Sequence, residues 1–136
     1  MEIAALRKRV LCVDDDADTR EMMTVLLGTE GYEVVQATSV KEGLKEATAD
    51  NIDLILLDWV FEDGTGVELC RKLRSTGASV PVLFYSGISD TVDIESAMKA
   101  GAQGFLIKPV DASRLFESLS RFLNDGDDGS RSDGAT

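Results

Sequence analysis

Asp53-Leu54-Ile55-Leu56-Leu57-Asp58 is the stretch on which the fold turns. Its four central residues form an unbroken apolar run, the pattern of a strand covered on both faces inside a parallel sheet. The run ends in a lone carboxylate, Asp58, where such a strand leaves the sheet. Working outward, Val10-Leu11-Cys12-Val13 runs straight into Asp14-Asp15-Asp16, Val80 to Tyr85 ends at Ser86, and Gly104 to Ile107 ends at Lys108-Pro109. Four strands thus deliver acid, acid, hydroxyl and ammonium to their carboxyl ends, the edge of an open α/β sheet where sites form.

Helix-like segments alternate with these strands. The spacing predicts a helix from Asp18 to Thr29, with Asp18 as N-cap and Gly31 beyond its end. Glu33–Ala37 leads into Val40–Ala49, where Val40, Leu44 and Ala47 recur at helical spacing. Asp53–Asp58 leads through a glycine-containing loop to a helix over Val67–Arg74, and Val80–Tyr85 to one over Asp90–Ala100, stopped by Gly101. Phe105–Ile107 leads to Asp111–Leu123, with Leu115, Leu119 and Phe122 on one face. Five βα units with short links predict an α/β domain, a parallel sheet with helices on both sides.

At 136 residues the chain is one domain with room for a core. Residues 1–8 read as an N-terminal extension, 9–123 as the domain, and 124–136 as an acidic tail without large apolar residues, expected to be disordered or to begin a linker. Net charge is −11, which argues against direct binding to nucleic acid or an anionic membrane. No apolar run approaches a membrane span. The Met1–Arg9 segment has its apolar patch before its cations, the reverse of a secretory signal. Cys12 and Cys70 lack metal-like spacing and read as reduced core thiols, so the expected compartment is the cytoplasm. The chain has no histidine, which removes Ser-His and Cys-His catalysis and any phosphohistidine step carried by this chain itself.

Carboxylates gathered from different strand ends repel one another and stay ionised together only beside a cation. A hard, oxygen-only site with few ligands suits Mg²⁺. Lys108 adds the positive charge that a phosphoryl group requires, and Ser86 a hydroxyl donor. A carboxylate nucleophile at Asp58, a magnesium site, a lysine and a hydroxyl are the minimal kit for an aspartyl-phosphate.

From Arg9 to Leu123 the chain resembles the receiver domains of two-component response regulators, the CheY-like family. The acidic pair falls on Asp14 and Asp15 in Val13-Asp-Asp-Asp16, with Arg20 at the usual offset. The phosphoacceptor falls on Asp58, the switch hydroxyl on Ser86, the switch aromatic on Phe105 and the lysine on Lys108. The resemblance implies a flavodoxin-like sheet in the order 2-1-3-4-5. It implies Mg²⁺ (or Mn²⁺) held by Asp15, Asp58 and the backbone carbonyl of Val60, with Asp14 acting through water, and a cis bond before Pro109. It further implies a histidine kinase or histidine phosphotransfer partner, and a monomer or phosphorylation-promoted dimer. Ser86 is expected to turn toward the phosphoryl group and Phe105 to pack inward, reshaping the face of the fourth helix, fifth strand and fifth helix.

Departures from the family pattern are local. Glu62 stands where a proline is usual, Thr65 where an aspartate is common before Gly66, and Phe105 has no polar handle. Val60 and Ile88 are both apolar at the entry to the acceptor and are expected to hinder attacking water.

Other chemistries fit less well. Asp14, Asp16 and Asp18 mimic the opening of a calcium loop, but Thr19 and Val25 stand where Gly and Glu are needed. Gly64-Thr65-Gly66 lacks the rest of a dinucleotide fingerprint. A phosphatase with an aspartyl intermediate would have an aspartate where Val60 stands. Trp59 and Tyr85 read as packing or rim residues. A receiver cut from a hybrid kinase or transcription factor stays open, as does an interaction module working without phosphorylation, although the latter predicts a damaged acidic site.

Overall fold

The computed structural model describes residues 7–49, 51–87 and 90–123, so the expectations for the tail, for Ile88 and for most of the N-terminal extension lie outside the described residues. The sheet strands are β1 (Arg9–Val13), β2 (Glu33–Ala37), β3 (Leu54–Leu57), β4 (Val82–Ser86) and β5 (Gly104–Ile107). The helices are α1 (Ala17–Thr29), α2 (Val40–Ala49), α3 (Gly66–Ser75), α4 (Thr91–Lys99) and α5 (Ala112–Leu123). The five strands form one parallel sheet in the order β2-β1-β3-β4-β5.

The unbroken apolar runs follow from two cores. Alternate residues of a strand point to opposite faces, so Leu11, Val13, Ile55, Leu57, Val82 and Phe84 pack on one side with residues of α2, α3 and α4. Val10, Cys12, Leu54, Leu56, Leu83 and Tyr85 pack on the other with α1 and α5. All four residues of β3 are buried. On α5, Leu115, Leu119 and Leu123 are buried, while Phe122 is partly buried against the same core. Both cysteines are free and buried; burial pushes the Cys12 thiol up to about 12 and raises that of Cys70.

Local details differ from the sequence expectations. The N-cap of α1 is Asp16, not Asp18, because the Asp16 carboxylate accepts from the Thr19 amide and hydroxyl. β4 begins at Val82, not Val80; Pro81, which has no N–H, gives its carbonyl to Ile55 instead. The loop after Asp58 is a small antiparallel ladder of Val60–Phe61 with Gly64–Thr65. Gly64 there has a φ of 149°, and Gly31, past the end of α1, a φ of 87°. A capping box between Thr65 and Glu68 starts α3.

Arg74 fastens the far end of α3 without any carboxylate partner among the described residues. Its guanidinium donates to the carbonyls of Ala78, Val80 and Gly101 and to the Gln103 side chain, at 2.8 to 3.1 Å. Gln103 in turn accepts from the Val82 amide at 2.8 Å. Two strands and a helix are thereby held in register at the edge opposite the carboxyl ends.

Candidate functional site

Parallel pairing of β1 with β3 sets Val13 beside Leu57, so the residues that follow, Asp14 and Asp58, leave the sheet side by side. The Asp58 amide donates to the Val13 carbonyl, and the Asp14 amide to that of Ala37, both at 3.0 Å. Asp14 is buried, Asp15 exposed and Asp58 between the two. One carboxylate oxygen from each lies within 4.8 Å of the others. This all-oxygen set has the chemistry to hold a hard divalent cation.

Lys108 reaches the same spot from the end of β5. Its Nζ donates to Asp14 Oδ2 at 3.1 Å and stands 3.8 Å from Asp58 Oδ2. The Tyr85 ring lies beneath it, 5.1 Å from centroid to Nζ, a cation–π contact. The Lys108 amide donates to the Ser86 carbonyl at 2.8 Å, and the Lys108–Pro109 bond is cis, as the resemblance implied. Ser86 is buried at the end of β4, in register with Ile107.

Electrostatics follow from this crowding. Burial raises the Asp58 carboxyl above its ordinary value, and the neighbouring Asp14 and Asp15 charges push the same way, against the Trp59 amide and Lys108. Burial pulls Lys108 down, but Asp58 and then Asp14 outweigh it, leaving the ammonium above its ordinary value. Three carboxylates thus face one ammonium at this edge of the sheet.

Several supporting residues were not legible as such. Asp58 Oδ1 accepts the Trp59 amide at 2.8 Å, a bond that no side-chain pattern signals. Asp14 Oδ1 accepts the Asp16 amide at 2.9 Å, and Arg20 Nη1 donates to the Asp14 carbonyl at 2.9 Å while its Nε reaches Gln36 on β2. Arg20 had only its position to recommend it; its work is to hold the acidic turn against β2. Trp59 and Tyr85 are part-buried and buried respectively. Trp59 packs against one core and Tyr85 belongs to the other, the packing role read from the sequence.

Phe105 is half-buried, packed against Phe84 and Trp59 with ring centroids 5.7 and 6.0 Å away. Val60 opens the small ladder with its side chain exposed. Gly66 lies against the backbone of Asp58. A Cβ there would fall on the Asp58 carbonyl oxygen and within 2.7 Å of Phe84.

The comparisons agree with this architecture. The family model for the response regulator receiver domain matches residues 10–120. The DNA-binding response regulator MtrA of Mycobacterium tuberculosis (strain ATCC 25618 / H37Rv) is 32 % identical over 123 residues, covering 90 % of this chain and 54 % of MtrA. The chain thus spans about half the length of this relative. The CAI-1 autoinducer sensor kinase/phosphatase CqsS of Vibrio cholerae is 31 % identical over 119 residues, covering 85 % of this chain and 17 % of CqsS. Among solved structures, a CheY-like response regulator receiver domain protein from Methanospirillum hungatei JF-1 superposes with a TM-score of 0.84 at 29 % identity, covering 90 % of this chain and 98 % of its own. The response regulator TrrA of Thermotoga maritima, solved in complex with Mg²⁺–BeF, gives a TM-score of 0.78 at 28 % identity, covering 85 % and 99 %. With its sheet order, its acidic cluster and its matched length, this chain belongs to the response regulator receiver domain family of two-component signalling.

Proposed function

We propose that this chain accepts a phosphoryl group on Asp58 from a phosphohistidine of a partner, a histidine kinase or a histidine phosphotransfer protein. One observation carries this. Asp58 meets Asp14, Asp15 and Lys108 at the carboxyl edge of the sheet, with carboxylate oxygens within 4.8 Å and the ammonium 3.8 Å away.

The oxygen donors fit Mg²⁺, with Mn²⁺ as a substitute. Asp15, Asp58 and the Val60 carbonyl are the direct ligands in this proposal, and Asp14 acts through water. The Asp14 oxygens already accept from Lys108 and from the Asp16 amide, which supports the indirect role. When bound, the ion offsets the negative charge of the acceptor and of the phosphoryl oxygens.

The Asp58 carboxylate attacks phosphorus in line; the new O–P bond forms as the N–P bond to the donor imidazole breaks. Lys108 neutralises charge on the transferred oxygens. The Ser86 hydroxyl then turns toward the phosphoryl group, and the face of α4, β5 and α5 changes its affinity for partners, a shift between two populations. Hydrolysis of the acyl phosphate resets the chain. It acts as a signalling phosphoacceptor and turns over no other substrate.

We place it in the cytoplasm, as a monomer or a phosphorylation-promoted dimer without direct nucleic-acid or membrane contact. The net charge of −11 supports the lack of direct nucleic-acid or anionic-membrane contact; no described helix is long and apolar enough to cross a membrane. A receiver working inside a longer regulator is the second reading, favoured by the 54 % of MtrA that the chain covers.

Intact mass after incubation with acetyl phosphate and Mg²⁺ tests the proposal. One added phosphoryl group, lost in Asp58→Ala or with chelator, is the expected result. Absence of label would assign the chain instead to phosphorylation-independent binding.

A further inference from the structure

Tyr85 stands one place before Ser86 on β4 and is 7 % exposed. It belongs to the core beneath α1 and α5, where an aliphatic side chain would also bury well. What an aliphatic side chain lacks is a π face. The Lys108 ammonium stands 5.1 Å from the Tyr85 ring centroid, inside the reach of a cation–π contact. The tyrosine hydroxyl lies beside the Val110 amide, two residues past that lysine.

Lys108 carries its charge on a flexible four-carbon stem. Its backbone is tethered next to Tyr85, where the Lys108 amide donates to the Ser86 carbonyl at 2.8 Å. Its ammonium meets Asp14 at 3.1 Å, Asp58 at 3.8 Å and the ring. Both carboxylates change partners in the reaction proposed above, Asp58 by bonding to phosphorus and Asp14 by sharing its charge with the cation. The ring changes neither its charge nor its place. It is neutral, buried and carried by a strand inside the sheet, so its hold on the ammonium outlasts that of the carboxylates.

We propose that Tyr85 is a positioning residue for Lys108, its ring face keeping the ammonium at the site while Asp58 is loaded. This rests on the phosphoacceptor reading, but the contact itself can be tested apart from it.

The first readout is the NMR signal of the Lys108 ε-CH₂ protons in the full chain labelled with ¹³C-lysine, identified by its loss in Lys108→Arg. The ring should shift it upfield of the other lysines, in Tyr85→Phe as in wild type, and the shift should vanish in Tyr85→Leu. The second readout is the rate of labelling by acetyl phosphate at saturating Mg²⁺. Tyr85→Leu should label about fivefold more slowly, and Tyr85→Phe should restore most of the rate. Pentafluorophenylalanine at position 85 keeps the ring's shape but removes its negative face, and should slow labelling as leucine does. Absence of the upfield shift in wild type would overturn the proposal without any variant. So would full-rate labelling of the pentafluorophenylalanine protein, or equal slowing in Tyr85→Phe and Tyr85→Leu, since either takes the effect away from the ring face. Failure of wild type to label would sink the phosphoacceptor reading and the loading role with it, whatever the shift shows.

Discussion

Phe84 and Phe105 stack face to face, with ring centroids 5.7 Å apart and planes 16° from parallel. Trp59 closes on both, at 5.4 and 6.0 Å. Phe105, the aromatic expected to pack inward on phosphorylation, lies partly buried against the core of α2, α3 and α4. Offset aromatic pairs contribute about 0.5–1.5 kcal/mol beyond burial. Phe105→Leu should lower unfolding free energy by about 1 kcal/mol and shift Trp59 emission, read in urea melts followed by fluorescence. Unchanged emission would mean that the stack does not form in solution.

Gly66→Ala should be severe for a single methyl group. The added carbon meets the Asp58 carbonyl and the Phe84 ring, both anchored in β3 and β4 and unable to yield cheaply. Overpacking of this kind costs about 1–3 kcal/mol, and it should also slow labelling of Asp58 by displacing its backbone. Gly28→Ala is the counterpart: a Cβ there meets nothing within 4 Å, in the last turns of α1. It should stabilise by about 0.5–1 kcal/mol. Chemical denaturation of both variants checks the contrast.

Asp58→Asn should raise the melting temperature in metal-free buffer at neutral pH. The folded state holds the Asp58 carboxyl above its ordinary 3.8 through burial first and Asp14 next. Between that value and the raised one the folded state binds more protons, so stability falls as pH rises through the window and stays lower above it. Asparagine removes the buried charge. Added Mg²⁺ should stabilise wild type more than the variant, because the folded wild type binds it better. Thermal melts with EDTA and with Mg²⁺ decide this; equal responses to the ion would detach Asp58 from the metal site.

Asp63 gives the opposite sign. Its carboxylate, held by the Lys41 and Val40 amides, lies below its ordinary 3.8. Its contribution to stability is present above 3.8 and is lost as pH falls through the lowered value. Asp63→Ala should therefore melt below wild type at pH 7, with the two curves converging in strong acid. A gap that persists there would point to packing in place of charge.

Val60→Asn should speed loss of the phosphoryl group several-fold. The exposed Val60 side chain stands two residues past Asp58, the proposed acceptor, and offers water no hydrogen bond. An amide would orient one. Dephosphorylation followed by intact mass settles it, and an unchanged rate would remove Val60 from the control of lifetime.

The sheet was legible because a strand buried on both faces has no polar alternation to hide it, as in Leu54–Leu57. The site was legible because its side chains sit at strand ends, where a run of apolar residues stops at Asp14, Asp58, Ser86 or Lys108. What escaped depends on backbone atoms or on distant partners. Asp16 and Asp18 look alike as caps until Thr19 chooses Asp16. The ladder of Val60–Phe61 with Gly64–Thr65 is only two residues long on each side, too short for any period, although Asp63-Gly64 is a turn signal. The Asp63 bonds to α2 span 23 and 22 residues, and the Arg74 bonds to Gly101 span 27. No local pattern encodes them.

The two buried thiols have a practical corollary at the bench. Alkylating dyes react with accessible thiolate, and folded Cys12, raised to about 12, and buried Cys70 offer little of it. A cysteine placed at exposed Val92 on α4 would then be the preferred label site without deleting either native one. A fluorophore there would follow the α4–β5–α5 face in real time on adding a phosphodonor, and so read out whether the proposed loading of Asp58 reshapes it.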